Sequence, residues 1–202
     1  MCIRDSCRPL KAWVQGTNSH LPASVRVVWA AEVSEFFHAR YSALARQYQY
    51  YIYNKNVMSA VFHGQLTHYK RTLDSDRMNQ EAQCLVGEQD FSAFRAAACQ
   101  SRSAMRCVEW VSVKRSGDVI CIEIRANAFL LHMVRNIAGS LMAVGSGLRE
   151  SGWLREVLDS KNRVNAEPTA KPDGLYLQKV VYPVQVGLPD SEQKVLLMGS
   201  KQ

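Results

Sequence analysis

Between Val108 and Ile124 the chain alternates apolar and polar residues, first as Val108-Glu-Trp-Val-Ser-Val113 and then as Val119-Ile-Cys-Ile-Glu-Ile124, with Ser116-Gly117 between. A period of two sends successive side chains to opposite faces of a strand, and the glycine supplies a turn, so the segment predicts an antiparallel hairpin with one apolar face. A lone hairpin is marginal in water, so that face requires further strands and a cover. Tyr48-Gln-Tyr-Tyr-Ile-Tyr53 is aromatic and β-branched and reads as a strand closed by Asn54-Lys55-Asn56. Val25 to Val33 and Leu175 to Tyr182 are expected as further strands. Asp74 to Gly87 predicts a helix with Met78, Ala82 and Leu85 on one face, Asp74 or Ser75 as cap and a glycine as stop. Phe129, Met133, Ile137 and Leu141 repeat at helical spacing, and a shorter helix is expected over Trp153 to Asp159. Strands in antiparallel runs with helices on one face make an α+β arrangement.

The 202 residues are 47% hydrophobic, enough for a real core. The most apolar stretch, Ala126 to Val144, is interrupted by Asn127, His132, Arg135 and Asn136, which argues against a membrane span. A net charge of +7 and a pI near 9.2 favour a polyanionic partner. The positive charge concentrates in Arg95, Arg102, Arg106, Lys114, Arg115, Arg125 and Arg135, against Glu109, Asp118 and Glu123. Six cysteines lack a Cys-x-x-Cys pair or a Cys/His cluster at metal-ligand spacing. Cys84 and Cys121 read as small core residues of a reducing, cytoplasmic compartment. No linker or repeat divides the chain, so one integrated body is the simplest expectation. Met1 to Cys7 carries a charge in its middle, lacks the apolar centre of a signal peptide, and reads as non-native sequence.

The expected helix over Phe129 to Val144 carries a polar stripe of His132, Arg135, Asn136 and Gly139. A solvated face is the ordinary explanation, but the flanking sequence is apolar enough to predict a mostly buried helix. A buried Arg135 then needs an anion, and no acidic neighbour in sequence offers one. The tyrosines of Tyr48 to Tyr53 are core candidates, and in a basic protein one of them could stack on a base. No phosphate-binding glycine loop, zinc deaminase signature or Gly-x-Ser-x-Gly elbow occurs.

Several long segments are familiar together: Phe37-His-Ala-Arg-Tyr-Ser-Ala43, Arg46-Gln-Tyr48-Gln-Tyr50, Gly87-Glu-Gln-Asp-Phe-Ser-Ala-Phe94, Ala126-Asn-Ala-Phe129 with His132-Met-Val-Arg-Asn136, and Ala170 to Leu177. In this order and spacing, from about Arg8 to Pro183, the chain resembles the tRNA pseudouridine synthase A family. The resemblance implies an antiparallel-sheet pseudouridine synthase fold, here incomplete at its N-terminus: a catalytic domain over 8–184, lacking its aspartate-motif portion, and a tail over 185–202. It implies isomerisation of uridine to pseudouridine at positions 38 to 40 of the tRNA anticodon arm, without cofactor or metal, by a cytoplasmic homodimer. By position in the motifs, Tyr48 resembles the tyrosine that packs against the target base. Arg135 resembles the basic residue that pairs with the catalytic aspartate, and Leu175 the apolar lining of the same pocket. Arg40, Arg46, Arg102, His132 and Lys171 are candidate RNA contacts. The family's aspartate sits in a Gly-Arg-Thr-Asp-Ala-Gly-Val-His-like motif that this sequence lacks, so the chain is expected to be inactive alone. A non-catalytic RNA-binding domain is the alternative. An RNA-recognition-motif protein is weaker, because Tyr48 to Tyr53 lacks that module's Gly and Phe spacing.

Overall fold

The computed structural model describes residues 8–189. The expectation for residues 1–7, and most of the tail, therefore lies outside the described residues. The contacts group into two compact units, each described by itself. The smaller is formed by residues 8–43 with 182–189 and holds helix α1 (Leu10–His20), which buries no residue. The strand expected over Val25 to Val33 does not form. The Asn18 amide takes the place of a partner strand, accepting from Val27 N and donating to Val27 O at 2.8 Å each, and Arg26 is held by the carbonyls of Pro22 and Val25. Val25, Val28 and Trp29 stay exposed, so alternation without a ladder partner yields extended coil. In the same unit Tyr182 donates to Ala39 O, and its ring meets Phe37 at 5.1 Å.

The larger unit, residues 44–181 among those described, is built on β1 (Ala45–Tyr53), β2 (Thr67–His68), β3 (Gly87–Asp90), β4 (Met105–Ser116), β5 (Val119–Ala126) and β6 (Leu175–Val181). The sheet order is β2-β1-β5-β4-β3, and β6 joins the same edge of β1 ahead of β2. Every pairing is antiparallel except the short β1–β2 match of Ile52 with Thr67 and Tyr53 with His68. The expected hairpin forms as β4 and β5, turning at Gly117 with φ 57°.

Tyr50 and Ile52 of β1, Ile120, Ile122 and Ile124 of β5, and Val111 and Val113 of β4 share one face and form the core. Over it lie α2 (Ser75–Ala82), α3 (Met133–Gly145) and α4 (Trp153–Ser160), through Met78, Ala82, Ile137, Leu141, Leu154 and Leu158. Asp74 caps α2 as expected, its carboxylate accepting from Asp76 N and Arg77 N. The expected helix over Phe129 to Val144 begins four residues later than predicted. His132 stands at φ 60°, a left-handed conformation that cannot continue a helix backwards.

The opposite sheet face is polar yet half-closed. Glu123 accepts from the amides of Gln47 and Gln49 at 2.8 and 2.9 Å, and Gln47 also donates to Gln178. Ile122 is 1% exposed at the centre of the packed face, whereas Asp74 acts only at a helix end. Ile122→Ala should therefore cost about 2–5 kcal/mol and Asp74→Ala about 1 kcal/mol in urea unfolding. Equal losses would mean that the β5 face is not the centre of the core.

Candidate active site

Alternation along β1 places Tyr48 and Tyr50 on the face covered by the helices. Tyr48 is half-buried; its ring meets Phe129 edge-on at 5.0 Å, and across the ladder it faces Leu177 of β6. Leu175 lies opposite Tyr50 and is also half-buried against the core. Burial pushes the Tyr48 phenol above its ordinary value, and the Arg46 guanidinium draws it partly back. Arg46 reaches Asn127 O at 2.9 Å, which ties the start of β1 to the segment that carries Phe129.

Arg135, expected to be enclosed, is half-buried in the first turn of α3. Its Nε donates to Ala170 O at 2.8 Å, and its own carbonyl accepts from Ala170 N at 3.2 Å. Among the described residues no carboxylate pairs with it, and neither Nη makes a hydrogen bond. A guanidinium has five donors in a rigid fork. One edge of that fork is spent on fixing its direction, and the Nη groups are left for an anion.

The predicted polar stripe is solvated only in part, with His132 exposed and Arg135 half-buried. Asn136 is fully buried: its Nδ2 donates to Phe94 O at 2.7 Å, and its Oδ1 accepts from Thr169 Oγ1 at 2.6 Å and Arg163 Nη2 at 3.2 Å. Gly139 lies so close to Pro168 that a Cβ would stand 2.3 Å from its carbonyl oxygen. Together these contacts press residues 168–170 onto α3, beside Arg135.

The chain then crosses to β1. Tyr50 Oη lies 2.8 Å from Lys171 O and 2.6 Å from Thr67 Oγ1, and Thr67 donates to the Asp173 carbonyl. Gly174, at φ 92°, accepts from Tyr51 N at 2.9 Å in a space where a Cβ would meet Tyr51 O at 2.3 Å. Residues 168–174 thus connect Arg135 to the strand carrying Tyr48 and lead into Leu175.

Tyr48 and Leu175 lie on the β1–β6 ladder with Arg46 near Tyr48, and Arg135 is near Tyr50 and tied to the segment that runs into Leu175. Lys171 is exposed on the connecting segment, and His132 is exposed at the head of α3. Arg102 is exposed on the loop between β3 and β4, where Arg95 donates to Cys99 O and Ser101 O. Arg40 belongs to the smaller unit, stacked over Tyr41 at 5.7 Å. Sequence reasoning missed Thr169, Arg163 and Tyr50 as supports. Only the turn signal of Asp173-Gly174 hinted that this segment does more than join two elements.

The comparisons with known proteins place this basic chain in the class of RNA-modifying isomerases. The family described as tRNA pseudouridine synthase matches residues 82–183, which span both hairpin strands, Arg135 and Leu175. A "tRNA pseudouridine synthase A" of Haemophilus influenzae strain PittGG is 51% identical over 185 residues, 92% of this chain and 69% of that protein. Proteins of the same name from Aeromonas hydrophila and Photobacterium profundum are 51% and 50% identical, over 92% and 93% of the chain and 69% and 72% of their own lengths. The chain belongs to the tRNA pseudouridine synthase A family.

Burial, ahead of the opposing hydrogen bond with Thr67, raises the Tyr50 phenol from 10.0 to about 12. The folded state therefore holds this proton more tightly than the unfolded chain. The stability it contributes is whole below about pH 10 and is lost as the pH rises through about 12. Urea unfolding should show stability falling across that window, with a shallower fall in Tyr50→Phe. An unchanged slope would mean that Tyr50 is not held in its neutral form by the fold.

Proposed function

We propose that this chain carries the base-binding and arginine half of a site that isomerises uridine to pseudouridine in the tRNA anticodon arm, at positions 38 to 40. The observation that supports this is Arg135, aimed through Nε at Ala170 O while neither Nη bonds to a described residue, on the segment that runs into Leu175 opposite Tyr50. The reaction breaks the bond from ribose C1′ to uracil N1, turns the freed base, and joins C1′ to C5. The C5 proton leaves and N1 gains one, so there is no net oxidation. The target base must first leave the helical stack. Tyr48 then packs against it, Leu175 supplies an apolar wall, and Arg135 holds an aspartate ionised and aimed in a partly dry pocket.

We place that aspartate outside these 202 residues, since the sequence has no motif of the required kind and no described carboxylate pairs with Arg135. On this account the polypeptide alone does not turn over, and the complete enzyme works as a cytoplasmic homodimer. Arg46, His132 and Lys171 contact RNA near the base, and Arg40 and Arg102 are further RNA contacts. The open Arg135 fork also favours a second reading, a non-catalytic domain that binds an RNA phosphate there.

Pseudouridine should be measured in tRNA treated with the chain, and with a chimera prefixed by the residues preceding the aligned region of the Haemophilus influenzae relative. The chimera is expected to modify tRNA and the chain is not. Product from the chain alone would overturn the external aspartate but not the isomerase. Binding without turnover in both would favour the second reading. In the chimera, Arg135→Ala should lower kcat by about 10²-fold or more with little change in melting temperature. A variant that instead unfolds would make Arg135 structural.

A further inference from the structure

At the far end of β1 from Tyr48 lies a recess of about 400 Å3, lined in part by Asn54, Lys55, Lys70, Leu73, Arg115 and Asp118. Its floor is fixed. The buried Asn54 amide donates to Tyr69 O and Arg71 O at 3.0 and 2.7 Å and accepts from Leu73 N and Arg115 Nη2 at 3.1 and 2.9 Å. Arg115 Nη2 also donates to Leu73 O at 2.6 Å. Neutral acceptors therefore hold this guanidinium on the wall without cancelling its charge, and no described carboxylate pairs with it. Lys70 is exposed and makes no hydrogen bond or ion pair among the described residues. The one carboxylate, Asp118, is paired with Lys55 at 3.2 Å. Three cations thus face one anion, 3 − 1, a surplus of two positive charges around a preformed hollow.

No aromatic ring lines the recess, so nothing there stacks a base, and its donors suit the oxygens of a phosphodiester. Asn54 follows the last residue of β1 and lies six residues from Tyr48, roughly 20 Å at strand rise. We propose that the recess binds a backbone phosphate of the substrate tRNA, away from the base held at Tyr48. This rests on the reading of tRNA as the substrate. The contact anchors the tRNA irrespective of sequence and does not touch the reacting atoms.

The test is equilibrium binding of whole tRNA, and of a hairpin too short to span the two places, by the full chain. A Lys55→Gln/Lys70→Gln variant is compared with a charge-matched Lys11→Gln/Lys161→Gln variant. All four lysines are exposed, and the ion pairs lost with Lys55 and Lys161 are surface pairs that contribute little to stability. The recess variant should bind whole tRNA about tenfold more weakly, with a dependence of log K on log salt flatter by about 1.5, and should bind the short hairpin normally. The charge-matched variant should change whole-tRNA binding by less than about twofold. Equal losses in the two variants, or equal losses for hairpin and whole tRNA, would overturn the recess contact and leave the substrate assignment standing. If the unaltered chain fails to bind tRNA at all, the recess contact falls, and the substrate assignment is decided by turnover in the chimera.

Discussion

The site depends on the way residues 168–174 are clamped between α3 and β1. Ala170 bonds to Arg135 twice, once through the backbone and once through the guanidinium, and the relay from Tyr50 through Thr67 fixes the next three residues to the sheet. An arginine side chain otherwise loses much rotamer entropy when it is aimed. Here that cost is met in folding, because Nε is already bonded before any anion arrives. The same segment delivers Leu175 into its ladder opposite Tyr50, so the cation and the apolar wall are placed by one piece of chain.

Two close approaches make the clamp possible. Gly139 lets the backbone of Pro168 touch α3, and Gly174 lets the turn into β6 touch β1 where β2 takes over the edge. Asn136 completes it by satisfying Phe94 O, Thr169 and Arg163 from one buried amide. An unmet polar group at that depth would cost about 1–3 kcal/mol. The polar residues of α3 are therefore packing residues of an unusual kind: they join helix to loop where a wholly apolar face could only join helix to sheet.

Charge is distributed with a similar logic. Arg46, Arg95 and Arg115 all turn N–H groups toward backbone carbonyls, which orders loops without neutralising the guanidinium. Two such cations, Arg135 and Arg115, are reserved for an anion in our proposals. Arg149, by contrast, meets a carboxylate, that of Glu167, at 2.8 Å.

The elements legible in the sequence are those whose periodicity is local. Val108 to Ile124 states its hairpin in its own alternation, Asp74 to Gly87 states a capped helix, although its α-helical part ends at Ala82, and Phe129 to Leu141 states a helical face, although the left-handed His132 moved its start. The motif resemblance singled out Tyr48, Arg135 and Leu175 before any coordinates. Only the tertiary structure decided that Val25 to Val33 finds no ladder, that Asn136 is buried while Arg135 is only half so, and that Thr169 and Tyr50 hold the loop beside them. The reason is range. A strand pattern is complete within a few residues, but a hydrogen bond between Tyr50 and Lys171 joins positions 121 residues apart, and no spacing rule carries it.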